Sequence, residues 1–563
     1  MRIKSQSTGA RVRGLLRALR EPWPWKYVGL TALLGSLLAL LFGWWYVRGG
    51  WEWLHSLVKP VVEEGSATVE DVTALGRNNG LPTLYFDIPF EGYQHLAAVR
   101  ERALERGILI VEDGDWTNAE IRYGDRTYRV RLRLKGDWTD HLGENKWSFR
   151  VEVKGGDALM GFRTFAVQSP ATRRYLNEWL YHEALLDAGL LVPRYGFVNV
   201  VVNGEDWGVY AIEEGFSKEL LESQGRRESV IVRFDESLCW AQRAIVFRDE
   251  EHVRSRPWYP WIDPQLNTFE ATQYALVDEF QTAKVKDDPV LRLQSETAKG
   301  MLRAFQDRLM PIEDVFDEQL IGAYLAYSNL WGARHSIVWH NQRYYYNPLT
   351  SQLEPIAYDA LPLIPIYAQM IDLAQYDSLP VMAAYVERLK VITRPEYLDQ
   401  FIARHQSELD RYRAALAEEF PDDVLQPPWD ILAERQTMLW AALHPEKGVE
   451  VVQTEVMTET DTLRLTIANA VEYPLVLDEC CVEGYCRPFD PAWVESARDK
   501  KMFYGEEGIE ATTLRSGTRW AYPVKLSIPL EGGVELSATA TLSCVAHLYA
   551  VNEPLTTTAV ISP

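Results

Sequence analysis

Residues Thr127 to Leu134 alternate without a break between apolar and cationic side chains. Tyr128, Val130, Leu132 and Leu134 share one face; Arg129, Arg131 and Arg133 share the other, and Lys135 extends the cationic row. Successive side chains of a β-strand point to opposite faces, so this pattern predicts a strand with one face in the core. A slip of one residue would bury the arginines and expose the apolar set, which pins the register. A turn follows at Gly136-Asp137-Trp138-Thr139-Asp140, and Lys146 to Val153 reads as the returning strand. Arg131, Arg133, Lys135 and Lys146 then make a cationic sheet face of the kind that polyphosphates bind. A solvated face neutralised by local acids is the alternative.

That basic row stands out because the 563-residue chain carries a formal net charge of -22. Such a balance argues against nucleic acid as a partner, since phosphate-backbone binding needs a broad basic face. The length exceeds what one core usually serves, so two or three domains are expected.

The N-terminus predicts a membrane anchor. Seven Lys/Arg and one acid lie within the first 27 residues, and no charged residue occurs from Tyr27 to Val47. Trp23, Trp25 and Tyr27 flank one end of that run and Trp44, Trp45 and Tyr46 the other. A helix of about 20 apolar residues spans a bilayer, and aromatic rings favour its interfaces. The expectation is a basic cytoplasmic segment over 1–26, a transmembrane helix over 27–47 and a stalk over 48–80. The protein would be single-pass in the cytoplasmic membrane, N-terminus inside, with its main domains periplasmic or extracellular.

Beyond the stalk, Asn203-Gly204 between two apolar runs signals a hairpin. Helices are expected over 94–106, 173–188, 217–224, 270–280, 295–305 and 312–330, with 373–413 largely helical. His335 to Ala360 reads as a second hairpin. Arg343-Tyr344-Tyr345-Tyr346 turns at Asn347-Pro348 and returns through Leu353 to Ala357, delivering Tyr358-Asp359. A carboxylate at such a strand end suits a metal or a cationic partner, or it merely caps the turn.

An ordered set of motifs resembles the spore-coat CotH family of atypical kinases. The set comprises Arg133-Leu134-Lys135-Gly136-Asp137, Lys146-Trp147-Ser148-Phe149-Arg150, Phe162 to Ser169 and Pro193-Arg194. It continues with Val200 to Gly204, Trp207-Gly208-Val209-Tyr210, Glu213, His340-Asn341, Asn347-Pro348 and Asp359. The resemblance covers roughly residues 81–420. It implies an α+β, distantly protein-kinase-like domain over 81–445 that binds ATP and Mg²⁺ and phosphorylates Ser/Thr of an envelope protein. Lys135 or Lys146, with Arg133 nearby, would hold the nucleotide phosphates, and Glu213 would orient the lysine. Asp359 would bind the metal, with Asn341 assisting. One departure stands out. The family's Trp-Asp pair before the His-Asn segment is replaced by Trp331-Gly332, and no carboxylate occurs between Glu318 and Glu354. His335 is the candidate substitute base. The alternative is a non-catalytic, membrane-anchored envelope protein that recognises a glycan or protein through the same cleft.

Residues 446–563 read as short strands between turns, predicting a β-sandwich. Four of the five cysteines, Cys480, Cys481, Cys486 and Cys544, lie there, and at least one disulfide involving Cys544 is expected.

Overall fold

The computed structural model describes residues 77–563 except 144–145, 239, 241–274, 364–375, 377, 458–461, 472, 495–523, 531–535, 537–538, 550, 552 and 562–563. The expected cytoplasmic segment, membrane span and nearly all of the stalk lie outside these residues. Among the described residues no helix is long and apolar enough to cross a membrane. The expected single-pass membrane architecture is corrected accordingly. What the structure supports is a mixed α+β chain with a seven-stranded barrel and several further sheets.

The barrel comprises β1 (Thr83–Asp87), β2 (Thr117–Tyr123), β3 (Arg126–Leu134), β4 (Phe149–Val153), β5 (Thr164–Gln168), β6 (Tyr195–Val202) and β7 (Glu205–Glu214). Its order is β1-β2-β3-β4-β5-β7-β6, closed by parallel pairing of β6 with β1. The alternation in β3 has its expected consequence: Tyr128, Val130, Leu132 and Leu134 are buried. They join Phe86, Phe149, Val151, Val167, Val200 and Tyr210 inside the barrel. On the outer face Arg131 pairs with Glu152 at 2.5 Å, so part of the cationic row is neutralised locally. The β6–β7 hairpin turns at Asn203-Gly204 with φ of 51° and 88°, as a primed two-residue turn requires. The Asn203 side chain also accepts from Ile88 N at 2.7 Å, which ties the turn to the end of β1.

Helices α1 (Phe90–Arg106) and α2 (Asn177–Asp187) are inserted between barrel strands. A second sheet follows, ordered β11-β10-β8-β9, from β8 (Ile231–Asp235), β9 (Leu276–Glu279), β10 (Arg343–Asn347) and β11 (Gln352–Ile356). The helices α3 (Pro289–Gln306), α4 (Glu318–Leu330), α5 (Leu379–Ile392), α6 (Pro395–Leu416) and α7 (Trp429–Leu443) pack around it.

Two helix expectations are corrected here. Leu276–Glu279 is a strand because Val277 and Glu279 pair with Phe234 and Val232 of β8, and sheet pairing overrides local propensity. The helix expected over 312–330 breaks at Phe316. That residue is extended and buried against Phe305 and Tyr344, while the Asp317 side chain caps α4 by accepting from Leu320 N at 3.0 Å.

The C-terminal strands are β12 (Val449–Met457), β13 (Thr462–Asn469), β14 (Leu475–Val482), β15 (Tyr485–Val494), β16 (Val524–Pro529), β17 (Ala540–Leu548) and β18 (Pro554–Ile561). They form one sheet of order β12-β13-β16 and another of order β15-β14-β17-β18. Cys480–Cys544 staples β14 to β17, as expected for Cys544, and Cys481–Cys486 closes the β14–β15 hairpin. A single buried apolar cluster runs from the helices into both of these sheets.

Candidate functional site

Three barrel strands end around one ammonium group. β3 delivers Lys135, β5 ends at Gln168 and β7 carries Glu213. Lys135 Nζ donates to Glu213 Oε2 at 2.6 Å and to Gln168 Oε1 at 2.7 Å. The lysine is 6% exposed and the glutamate 2%, so the pair is buried. Burial works against the Glu213 charge, but Lys135 and Arg173 outweigh it and hold the carboxyl below its usual range. Gly136 follows the lysine at φ 107°. A Cβ there would lie 2.4 Å from the His141 ring, so only glycine lets the chain turn away.

The second hairpin supplies the opposite wall. β10 and β11 pair as expected, from Arg343↔Ile356 to Asn347↔Gln352, and the chain leaves β11 into Tyr358-Asp359. Asp359 adopts φ 51°, an uncommon conformation for a non-glycine residue. Glu178 of α2 secures the turn. Its Oε1 accepts from Ala360 N at 2.8 Å and its Oε2 from Leu361 N at 3.0 Å, and its side chain is fully buried. Arg173, just before α2, places Nη1 2.9 Å from Asp359 Oδ1. Burial opposes the Asp359 charge, yet Arg173, His335 and Lys135 together hold this carboxyl far below the ordinary aspartate range.

His335 lies against the same carboxylate. Its Nδ1 is 2.6 Å from the Asp359 carbonyl oxygen and 3.4 Å from Oδ1, and Asn341 Nδ2 is 3.0 Å from that nitrogen. Nδ1 facing a carbonyl carries a proton, so a neutral His335 has its basic lone pair on Nε2. Burial pulls the imidazolium pKa down, but Asp359 more than compensates and the net shift is upward. Asn341 Nδ2 donates to His335 O at 3.0 Å rather than to the protonated Nδ1, which holds the two residues as a unit.

Further acids face this group. Asp137, two residues after Lys135, is pushed up to about 7 by burial and by the charges of Glu236 and Asp359. A carboxyl with a raised folded-state pKa costs nothing below its ordinary value. The cost grows as pH rises and is complete above the folded value. Asp137→Asn is therefore expected to raise thermal stability at about pH 8 and to leave it nearly unchanged at about pH 4. Equal gains at both pH values in thermal unfolding would reject this origin.

Of the residues expected from sequence, the structure gathers Lys135, Glu213, His335, Asn341 and Asp359; the Asp359 charge favours the charged form of Lys135. Arg133 lies at the margin, its guanidinium 5.2 Å from the Trp116 ring centre, with burial and Arg150 pulling its pKa down to about 10. Lys146 is engaged elsewhere. Its ammonium pairs with Glu419 at 2.6 Å and donates to Val209 O at 2.8 Å, tying the chain after α6 to β7. Arg173, Glu178, Gln168 and His141 were not expected. Neither Arg173 nor Glu178 had a local signal, because only the fold brings them to the turn at Asp359.

Glu213 Oε1 is a buried carboxylate oxygen without a hydrogen-bond partner, and Asp359 Oδ1, although ion-paired with Arg173 at 2.9 Å, makes no hydrogen bond of regular geometry. Hard divalent cations take such oxygens, so the donor set fits a metal bound chiefly through Asp359.

No curated protein matches the chain. A family model described as CotH kinase protein matches residues 132–360. The matched stretch begins within β3 and ends one residue after Asp359, and so contains every side chain around Lys135 and Asp359 described above. Over residues 132–360 the chain is similar to that kinase family.

Proposed function

We propose that the group of residues where the barrel meets the second hairpin binds ATP with Mg²⁺ and transfers its terminal phosphoryl group to a Ser/Thr hydroxyl of a protein. The observation that carries this reading is the buried Lys135–Glu213 pair facing the ionised Asp359. A lysine oriented by a glutamate and a metal-binding aspartate are the two charge elements that phosphoryl transfer requires. Lys135 neutralises phosphate oxygens, while Glu213 and Gln168 fix its ammonium. Asp359 would hold the metal, with the Asn341 carbonyl oxygen as the second candidate ligand. When bound, the metal would neutralise charge on the phosphates.

In the transfer itself the acceptor oxygen forms a bond to the γ-phosphorus and the bond to the bridging oxygen breaks. His335 Nε2 takes the hydroxyl proton. Titrating the full chain with ATP, with and without Mg²⁺, tests the binding. Saturable, Mg²⁺-dependent heat is expected, and its absence would remove the nucleotide.

A second reading, binding without transfer, draws support from the absence of any carboxylate between Glu318 and Glu354. His335→Ala separates the two. Loss of labelled-phosphate transfer with ATP binding retained favours transfer through His335, whereas no transfer by the wild type favours the second reading.

A further inference from the structure

We propose that Arg233 of β8 and Arg343 of β10 form a binding site for a phosphate group, distinct from the Lys135 site. The two residues are directly opposite each other in the antiparallel β8–β10 pair. Their side chains therefore share one face of the sheet, where like charges placed opposite each other are destabilising. The described carboxylates offset that repulsion only in part. The nearest carboxylate to Arg343 is Glu236 and the nearest to Arg233 is Asp278, each at 4.0 Å, and neither makes a hydrogen bond with its arginine. Glu236 is held off in part because its Oε2 accepts from Trp240 Nε1 at 3.0 Å.

The donors are also left open. The Nε atoms of both arginines are buried without a hydrogen-bond partner. Arg343 is 4% exposed, and only its Nη1 is satisfied, by the carbonyls of His340 at 2.7 Å and Gln342 at 3.0 Å. A buried donor without an acceptor is costly, and two on facing guanidiniums point to an acceptor that both share. Aromatic rings set the geometry. The Phe280 ring centre lies 4.8 Å from Arg233 and 5.7 Å from Arg343, and Phe216 and Tyr358 flank Arg343 at 5.7 and 5.3 Å. These rings hold both forks in place before any ligand arrives.

The chemistry selects phosphate over carboxylate. Two guanidinium forks offer more donors than the two oxygens of a carboxylate use, and a phosphate dianion balances both charges. Two carboxylates already stand nearby and do not close on the pair. The site also adjoins the residues around Asp359. Tyr358, whose ring touches Arg343, immediately precedes Asp359, and the Asp359 charge acts on Arg343. A phosphate bound there can be free or can belong to an acceptor chain already phosphorylated near its target hydroxyl.

The test titrates the full chain with inorganic phosphate and, separately, with O-phosphoserine, without nucleotide or metal, by calorimetry. Its outcome is thus independent of ATP binding. Saturable binding is expected, weakened about tenfold or more in Arg343→Gln and in Arg233→Gln through loss of charge-assisted hydrogen bonds. Asp278→Asn, which removes the competing carboxylate beside Arg233, is expected to tighten it. Arg233 is the more exposed of the pair, so its variant serves if Arg343→Gln does not fold. Tighter binding of phosphoserine assigns the site to a protein-borne phosphate, and tighter binding of inorganic phosphate to the free ion. No binding of either probe, or binding unchanged in Arg233→Gln, would overturn the proposal.

Discussion

Lys135→Met is expected to abolish nucleotide binding and to destabilise the fold by about 3–5 kcal/mol, the usual result of removing one member of a buried ion pair. The lysine donates to both Glu213 and Gln168. Without it, Glu213 keeps a buried charge, and its Oε1 already lacks a donor. Lys146→Met is the informative contrast. Its pair with Glu419, with side chains 19% and 22% exposed, lies apart from the Lys135–Glu213 pair. It should therefore leave ATP affinity unchanged. Stability loss alone would not distinguish a phosphate-binding lysine from a structural one. The double variant Lys135→Met with Glu213→Leu does, because an apolar pair of similar volume can replace a buried ion pair with little cost. Chemical denaturation should show most of the stability restored, while calorimetry should show ATP binding still absent. Restoration of both would make the pair purely structural.

What could be read in advance, and what could not, follows from the range of the interactions. The alternation of Tyr128 to Leu134 and the Asn203-Gly204 turn are local, and both appear in the barrel where the pattern placed them. The Lys135–Glu213 contact spans 78 residues, and only the family resemblance gave reason to expect it. Arg173 and Glu178 were beyond reach for a related reason. Their partners at Asp359, Ala360 and Leu361 lie more than 180 residues away, and no local pattern encodes such a contact. The strand at Leu276–Glu279 failed as a helix for the same cause, since its pairing with β8 outweighs helical propensity. The uncharged run from Tyr27 to Val47 is a property of composition alone, and no described helix has the length and apolarity of a span.

Asp359→Asn carries the other large effect, and the structure reverses what the isolated sequence suggests about it. Viewed as a metal ligand near Glu213, Asp359 should repel a like charge, so neutralising it should leave the fold intact or firmer. In the structure its nearest charged neighbour is the Arg173 guanidinium at 2.9 Å, and the His335 ring, whose pKa the carboxylate raises, lies at 3.4 Å. Replacing the carboxylate leaves Arg173 buried, with its Nε already unpartnered. The expected loss is again about 3–5 kcal/mol, together with loss of Mg²⁺-dependent ATP binding.

The pH dependence identifies the cause. The Asp359 pKa is depressed by folding, so its contribution is present above the ordinary aspartate value of about 3.9 and disappears as pH falls below it. The His335 pKa is raised by the same carboxylate, so its contribution is present below about 6.5 and disappears as pH rises through the folded value. The stability gap between wild type and Asp359→Asn should therefore be widest near pH 5–6, narrowing toward both acid and alkali, roughly as these two titrations dictate. A gap independent of pH would mean that the substitution acts through the altered hydrogen bonding of the isosteric amide rather than through charge. Adding Arg173→Met to Asp359→Asn removes the stranded guanidinium and should recover part of the stability, a coupling that a double-mutant cycle measures. It should not recover the metal-dependent binding. If ATP and Mg²⁺ bind Asp359→Asn as they bind the wild type, Asp359 is a structural counter-ion of Arg173 and the metal belongs elsewhere.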